Sequence, residues 1–185
     1  MTDQMPDRPN VSIRFSAAEI AARVDVMAAE LAAKLPADTL VVSVLKGSFV
    51  FAADLIRALS RTGANWSMDF ITLSSYGTGT ETSGKVRVVR DIVDDVRDRD
   101  VLLVDDILES GFTLSFAKNL IKERGARRVW VCTLLDKPHK RRVELKADFT
   151  GFEAGDEFLV GYGLDWAHRF RGLPYIGVVE KTAAE

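Results

Sequence analysis

The chain has 185 residues, 47% hydrophobic and 28% charged, with 25 Lys and Arg against 27 Asp and Glu. A net charge of −2 provides no overall basic field for nucleic acid, and one cysteine excludes an intrachain disulfide or a cysteine-based zinc cluster. No stretch reaches the ~20 apolar residues of a membrane span, Met1 to Asn10 carries no apolar signal core, and the length suits one domain, residues 1–185.

The first element in chain order is a helix. Ser16 to Glu19 spells a capping box, in which the Ser hydroxyl and the Glu carboxylate each satisfy an amide at the helix start. Ile20, Val24, Met27 and Leu31 then recur at helical spacing until Pro36, which stops the pattern. Leu40 to Leu45 reads as a buried strand, Lys46 and Gly47 as the loop at its end, and Phe49 to Leu59 as a helix closing before Gly63. A second strand at Met68 to Leu73 enters Ser74 to Lys85, a Ser, Thr and Gly stretch almost without apolar residues, which predicts a mobile loop. Val86 to Arg90 is a short strand and Asp91 to Asp100 a charged connection.

Val101 to Thr113, V-L-L-V-D-D-I-L-E-S-G-F-T, carries most of the chemistry. Val101 to Val104 predict a central strand with Asp105 and Asp106 at its carboxyl end, and Ser110, Gly111 and Thr113 lead into a helix from about Thr113 to Arg124, closed by Gly125. Open α/β sheets place ligands at that end of their strands. Amides at a helix start lack intrahelical acceptors and sit at the positive end of the helix dipole, so those around Glu109 to Thr113 suit a phosphate. The two carboxylates suit ribose hydroxyls and a hard cation. A ribose 5-phosphate carrying further phosphate satisfies both; a generic strand-to-helix turn with an acidic edge and a Ser cap has the same ingredients.

Val129 to Leu135 is the next strand, with Cys132 buried inside it. Lys137 follows two residues later, and Lys140, Arg141 and Arg142 read as solvated charge. Ala147 to Glu180 is rich in Gly and aromatics, with apolar runs at Phe158 to Val160 and Ile176 to Val179, and predicts a smaller subregion beside the main sheet. The alternation of strands and helices predicts an α/β, doubly wound fold with a parallel central sheet and a small hood from the C-terminal and N-terminal ends.

The order of strand, acid pair, hydroxyl-glycine turn and helix resembles the phosphoribosyl-pyrophosphate (PRPP) loop of type I phosphoribosyltransferases. Further matches point to the hypoxanthine-guanine branch. Leu45-Lys46-Gly47-Ser48 resembles the family's Leu-Lys-Gly loop beside pyrophosphate, whose Lys-containing peptide can be cis; by itself Lys46 reads equally well as a solvated lysine. Ser75-Tyr76 resembles the pair in the flexible loop that closes over these active sites and excludes water. Lys137 matches the lysine that contacts the purine's exocyclic oxygen, where an ammonium favours a 6-oxopurine because adenine presents a donor to a donor. Phe158-Leu159-Val160-Gly161-Tyr162 and Leu164-Asp165 resemble the C-terminal purine pocket, and Arg171 in His168-Arg169-Phe170-Arg171 matches an arginine for pyrophosphate. No role falls to His168, which reads as surface.

The resemblance implies Mg2+-dependent transfer of phosphoribosyl from PRPP to hypoxanthine or guanine, giving IMP or GMP and pyrophosphate. It implies Asp105 and Asp106 on the ribose hydroxyls, Ser110, Gly111, Phe112 and Thr113 on the 5-phosphate, and Lys46, Gly47 and Arg171 at pyrophosphate. Phe158 would stack on the base, the Leu159 backbone would bond its edge, and Asp165 would lie near both purine and metal. Two departures stand out: Glu109 occupies the position of the Asp that exchanges a proton with purine N7, and Phe112 replaces a polar or basic loop residue. The single cysteine fits a reducing cytoplasm, the charge and hydropathy lead us to expect no nucleic-acid or membrane partner, and a homo-oligomer, dimer or tetramer, is expected. The alternatives are a PRPP- or purine-sensing regulatory protein of the same fold and a xanthine-preferring relative.

Overall fold

Two sheets organise the chain in a computed structural model that describes residues 10–76 and 85–180. The elements run β1 (Val11–Phe15), α1 (Ala17–Lys34), β2 (Leu40–Leu45), α2 (Phe49–Arg61), β3 (Ser67–Tyr76) and β4 (Lys85–Arg90). They continue with β5 (Asp100–Leu108), α3 (Phe112–Glu123), β6 (Arg128–Asp136), β7 (Phe149–Glu153), β8 (Leu159–Val160) and β9 (Ile176–Val179). The main sheet has the order β4-β3-β2-β5-β6-β7, and β1-β9-β8 form a small antiparallel hood.

The doubly wound fold follows from the apolar runs. In β5, Leu102 and Val104 join the core under α1 and α2, whereas Val101 and Leu103 join the core under α3; Cys132 and Leu134 divide from Val129 and Val131 in the same way on β6. A strand buried on both faces has to be apolar at every position, which is how these runs read. The capping box starts α1 as expected: the Glu19 amide donates to Ser16 Oγ at 3.3 Å and the Ser16 amide to Glu19 Oε2 at 2.8 Å. Cys132 is buried, and burial pushes its thiol far above the usual range, so it packs as an inert small hydrophobe.

Several boundaries differ from expectation. The sheet is parallel except at β4, which pairs antiparallel with β3. That pairing takes up Ser74, Ser75, Tyr76 and Lys85, expected in a loop: Ser75 lies opposite Val86 and Tyr76 opposite Lys85. The remainder of that expected loop lies outside the described residues. Asp105 and Asp106 lie within β5 rather than after it, because Ile107 and Leu108 continue the ladder to Leu135 and Asp136. β1, whose VSIRF alternates apolar and polar residues, was not among the expected strands and pairs with β9; β7 carries no clear sequence signal and exists through its partner β6. Among the described residues no helix is long and apolar enough to cross a membrane.

Candidate active site

The carboxyl end of β5 and the start of α3 enclose a cavity of about 260 Å³ lined by Asp105, Asp106, Glu109, Ser110, Gly111 and Thr113, among others. Gly111, at φ +87°, caps α3, and a Cβ there would stand 2.8 Å from Val143 Cγ2. Only glycine makes this turn without strain. Phe112 and Thr113 then occupy the first turn of α3, whose amides have no intrahelical acceptor. On the other side of the loop, the Arg142 amide binds the Ser110 carbonyl at 3.0 Å, and the Arg141 guanidinium joins the Glu109 carbonyl to the Asp136 carboxylate. Arg141 is therefore not the solvated charge expected from the sequence: its side chain is 15% exposed, held by two acceptors that lie far from it in sequence or across a turn.

Asp105 is buried, and burial together with the like charge of Asp106 raises its carboxyl well above the usual range. Burial raises Asp106 too, opposed by the Ile107 amide at 2.9 Å and by the positive charge of Arg171. The pair is thus an acidic site lacking a full complement of donors, which ribose hydroxyls can supply. Asp106 also closes on the β2–α2 loop, since a Cβ on Gly47 would stand 1.7 Å from its Oδ2. Here the Leu45–Lys46 peptide is cis and Lys46 is exposed.

The hood reaches the same place. Gly163, at φ +102°, lies so near the Gly47 carbonyl that a Cβ would come within 2.1 Å of that oxygen. Arg171 donates to the Gly163 carbonyl and to Asp165 Oδ1, both at 2.6 Å, while the His168 amide binds Asp165 Oδ2 at 2.8 Å. Gly47, Asp105, Asp106, Asp165 and Arg171 therefore form one connected cluster, with the exposed Lys46 next to Gly47 in the chain.

Lys137 is buried at 3% exposure. Its ammonium donates to the Glu157 carbonyl at 2.8 Å and pairs with Glu109 Oε1 at 2.7 Å. Phe158 follows directly, 54% exposed, its carbonyl bound by the Val179 amide at 3.0 Å; Leu159 is buried and pairs with Val178. The ring of Phe158 is thus free to take a flat ligand. Ser75 and Tyr76 end β3, the strand next to β2. His168 is exposed, as expected.

Among the described residues no group of three or more His, Cys, Asp or Glu could hold a metal ion. Asp165 retains a free lone pair on each oxygen after the contacts above, so it fits a Mg2+ held mainly by ligand oxygens and water. Three residues that position the site were not singled out from sequence. Arg141 was hidden in a basic run, Gly163 by the abundance of glycine around it, and Asp54, which accepts from Tyr162 Oη at 2.5 Å, by its place on an ordinary amphipathic helix.

A family model described as the phosphoribosyl transferase domain matches residues 16–166. The hypoxanthine-guanine phosphoribosyltransferase of Bacillus subtilis (strain 168) is 44% identical over 175 residues, 94% of this chain and 95% of that protein. The hypoxanthine phosphoribosyltransferase of Escherichia coli (strain K12) is 41% identical over 172 residues, 91% of this chain and 95% of that protein. A crystal structure of a hypoxanthine-guanine phosphoribosyltransferase from Bacillus anthracis superposes with a TM-score of 0.86 at 40% identity, covering 94% of this chain and 100% of that one.

Proposed function

The chain belongs to the phosphoribosyl transferase domain family, and on that footing we propose that it is a purine salvage enzyme transferring phosphoribosyl from PRPP to N9 of hypoxanthine or guanine. The products are IMP or GMP and pyrophosphate. The observation that carries this reading is the buried Lys137 ammonium beside Glu109, on the same loop that lines the Asp105–Asp106 cavity. This arrangement supports binding of an oxo group on a flat base next to a ribose phosphate.

Each part of the site then has a task. Asp105 and Asp106 accept the ribose hydroxyls, and the Ser110, Gly111, Phe112 and Thr113 amides take the 5-phosphate at the α3 start. Phe112 contributes its amide alone. Lys46, Gly47 and Arg171 take the departing pyrophosphate. Lys137 donates to the 6-oxygen, Phe158 stacks on the ring, the Leu159 backbone meets its edge, and Glu109 receives the N7 proton. Asp165 would hold Mg2+ together with ligand oxygens and water, and the ion would supply charge neutralisation for the departing pyrophosphate. Ser75 and Tyr76, at the end of β3, have the task of keeping water from the reacting ribose carbon. Positioning and charge complementarity supply most of the rate.

Residues 1–185 act as one domain, as a cytoplasmic homo-oligomer, dimer or tetramer. The test is PRPP consumption with hypoxanthine, guanine, xanthine and adenine, with and without Mg2+, followed by product identification. Turnover of adenine faster than hypoxanthine would sink the assignment, and turnover of xanthine alone would move it to the xanthine-preferring relative.

A further inference from the structure

We propose that Glu109, beyond any part in proton transfer, is a specificity-determining residue whose carboxylate holds the place of the purine 6-oxygen on Lys137 in the free enzyme. This rests on the reading of Lys137 as the purine-recognition lysine. The Lys137 ammonium has two acceptors, the Glu157 carbonyl at 2.8 Å and Glu109 Oε1 at 2.7 Å. With its side chain 4% exposed, it presents no open face to a third acceptor, so an incoming base has to take over the position that Glu109 holds.

The exchange is lopsided. Lys137 cannot leave, because a buried ammonium without partners is costly. Glu109, 45% exposed, can turn out to water and be rehydrated at little cost. A base with an oxygen at position 6 replaces the carboxylate and keeps Lys137 bonded. A base with an amino group there breaks the ion pair and offers the ammonium no acceptor, so the pair penalises adenine twice. The displaced carboxylate remains tethered beside the 6-oxygen, and N7 lies on that same edge of a purine. The step that admits the base therefore brings Glu109 to the atom it serves. Glu at this position, one methylene longer than Asp, sustains the 2.7 Å contact; shortening it opens the pair.

The test is binding of IMP, AMP and ribose 5-phosphate by calorimetry to the unaltered protein, Glu109→Asp and Glu109→Gln, with melting temperatures as a check on folding. Both variants weaken the ion pair, one by reach and the other by charge. Ribose 5-phosphate corrects for any change in phosphate affinity on losing a charge near the α3 start. After that correction both variants bind IMP about 3- to 10-fold more tightly, and the preference for IMP over AMP narrows. Equal or weaker IMP binding by both folded variants overturns the proposal, since a carboxylate that the base does not displace from Lys137 leaves nothing to gain when the pair is weakened. Absence of IMP binding and of 6-oxopurine turnover in the unaltered protein overturns instead the assignment of Lys137 on which the proposal rests.

Discussion

At the scale of single residues, the site is dominated by charges taken out of water. Burial and Asp106 together raise the Asp105 carboxyl well above the usual range. A carboxyl that holds its proton more tightly when folded than unfolded lowers stability as pH rises from the ordinary carboxylate range through its raised value. Asp105→Asn should therefore melt higher than the unaltered protein at pH 8. The gain should shrink as pH falls and vanish below about 4, where both states become protonated, while PRPP binding measured by calorimetry is lost. A lower melting temperature at pH 8 would show that Asp105 has compensating donors in the free protein. Lys137 poses the opposite problem, a buried ammonium with one charged partner. Lys137→Gln keeps a donor and loses the charge, so kcat/KM for hypoxanthine should fall about 10- to 100-fold, with a smaller loss for adenine. The two substrates assayed side by side decide it.

At the scale of elements, the legible ones are those whose own residues settle their conformation. α1 begins at its capping box and ends before Pro36, and β2 occupies the expected Leu40–Leu45, because both signals are local. β7 was not legible, and β1 only in part. FTGFE has neither clean alternation nor an apolar run and is a strand because β6 offers an edge to pair with, whereas VSIRF does alternate apolar and polar residues but is too short to count as a strand until β9 pairs with it. Ser75 and Tyr76 failed in the same way: a polar composition that reads as loop was drawn into β3 by antiparallel pairing with β4. The α3 start lies between these cases. Its phosphate-type turn was legible, yet the contact that holds Gly111 against Val143 was not. Gly111→Ala places a Cβ at a left-handed φ and 2.8 Å from Val143 Cγ2. It should cost about 1–3 kcal/mol, read as a lower melting temperature, and weaken ribose 5-phosphate binding in parallel.

At the scale of the whole molecule, the site exists because the hood docks on the β2–α2 loop. Tyr162 Oη reaches Asp54 on α2, Gly163 rests on the Gly47 carbonyl, and Glu157 pairs with Arg14 of β1 at 3.2 Å. These contacts bring Asp165 and Arg171 to Asp106. Gly163→Ala would force a Cβ to 2.1 Å from the Gly47 oxygen, at a φ of +102°. The hood should then lift while the main sheet persists: IMP affinity falls about 10-fold or more, and far-ultraviolet circular dichroism barely changes. Retained IMP affinity would show that the hood and the loop adjust independently.

Lys46, Lys137, Asp165 and Arg171 became candidates only through the family resemblance, whereas by itself the sequence determined the alternating architecture, the acid pair and the helix start that suits phosphate. These are local patterns: periodicity, caps and short runs of residue types act through neighbours in the chain. Only the tertiary structure decided that Lys137 is buried and paired with Glu109, that Arg141 holds the loop rather than water, and that Gly163 meets Gly47. The partners in these contacts lie 28, 32 and 116 positions apart. Contacts over such separations depend on how the sheet and hood stack, which no local pattern encodes.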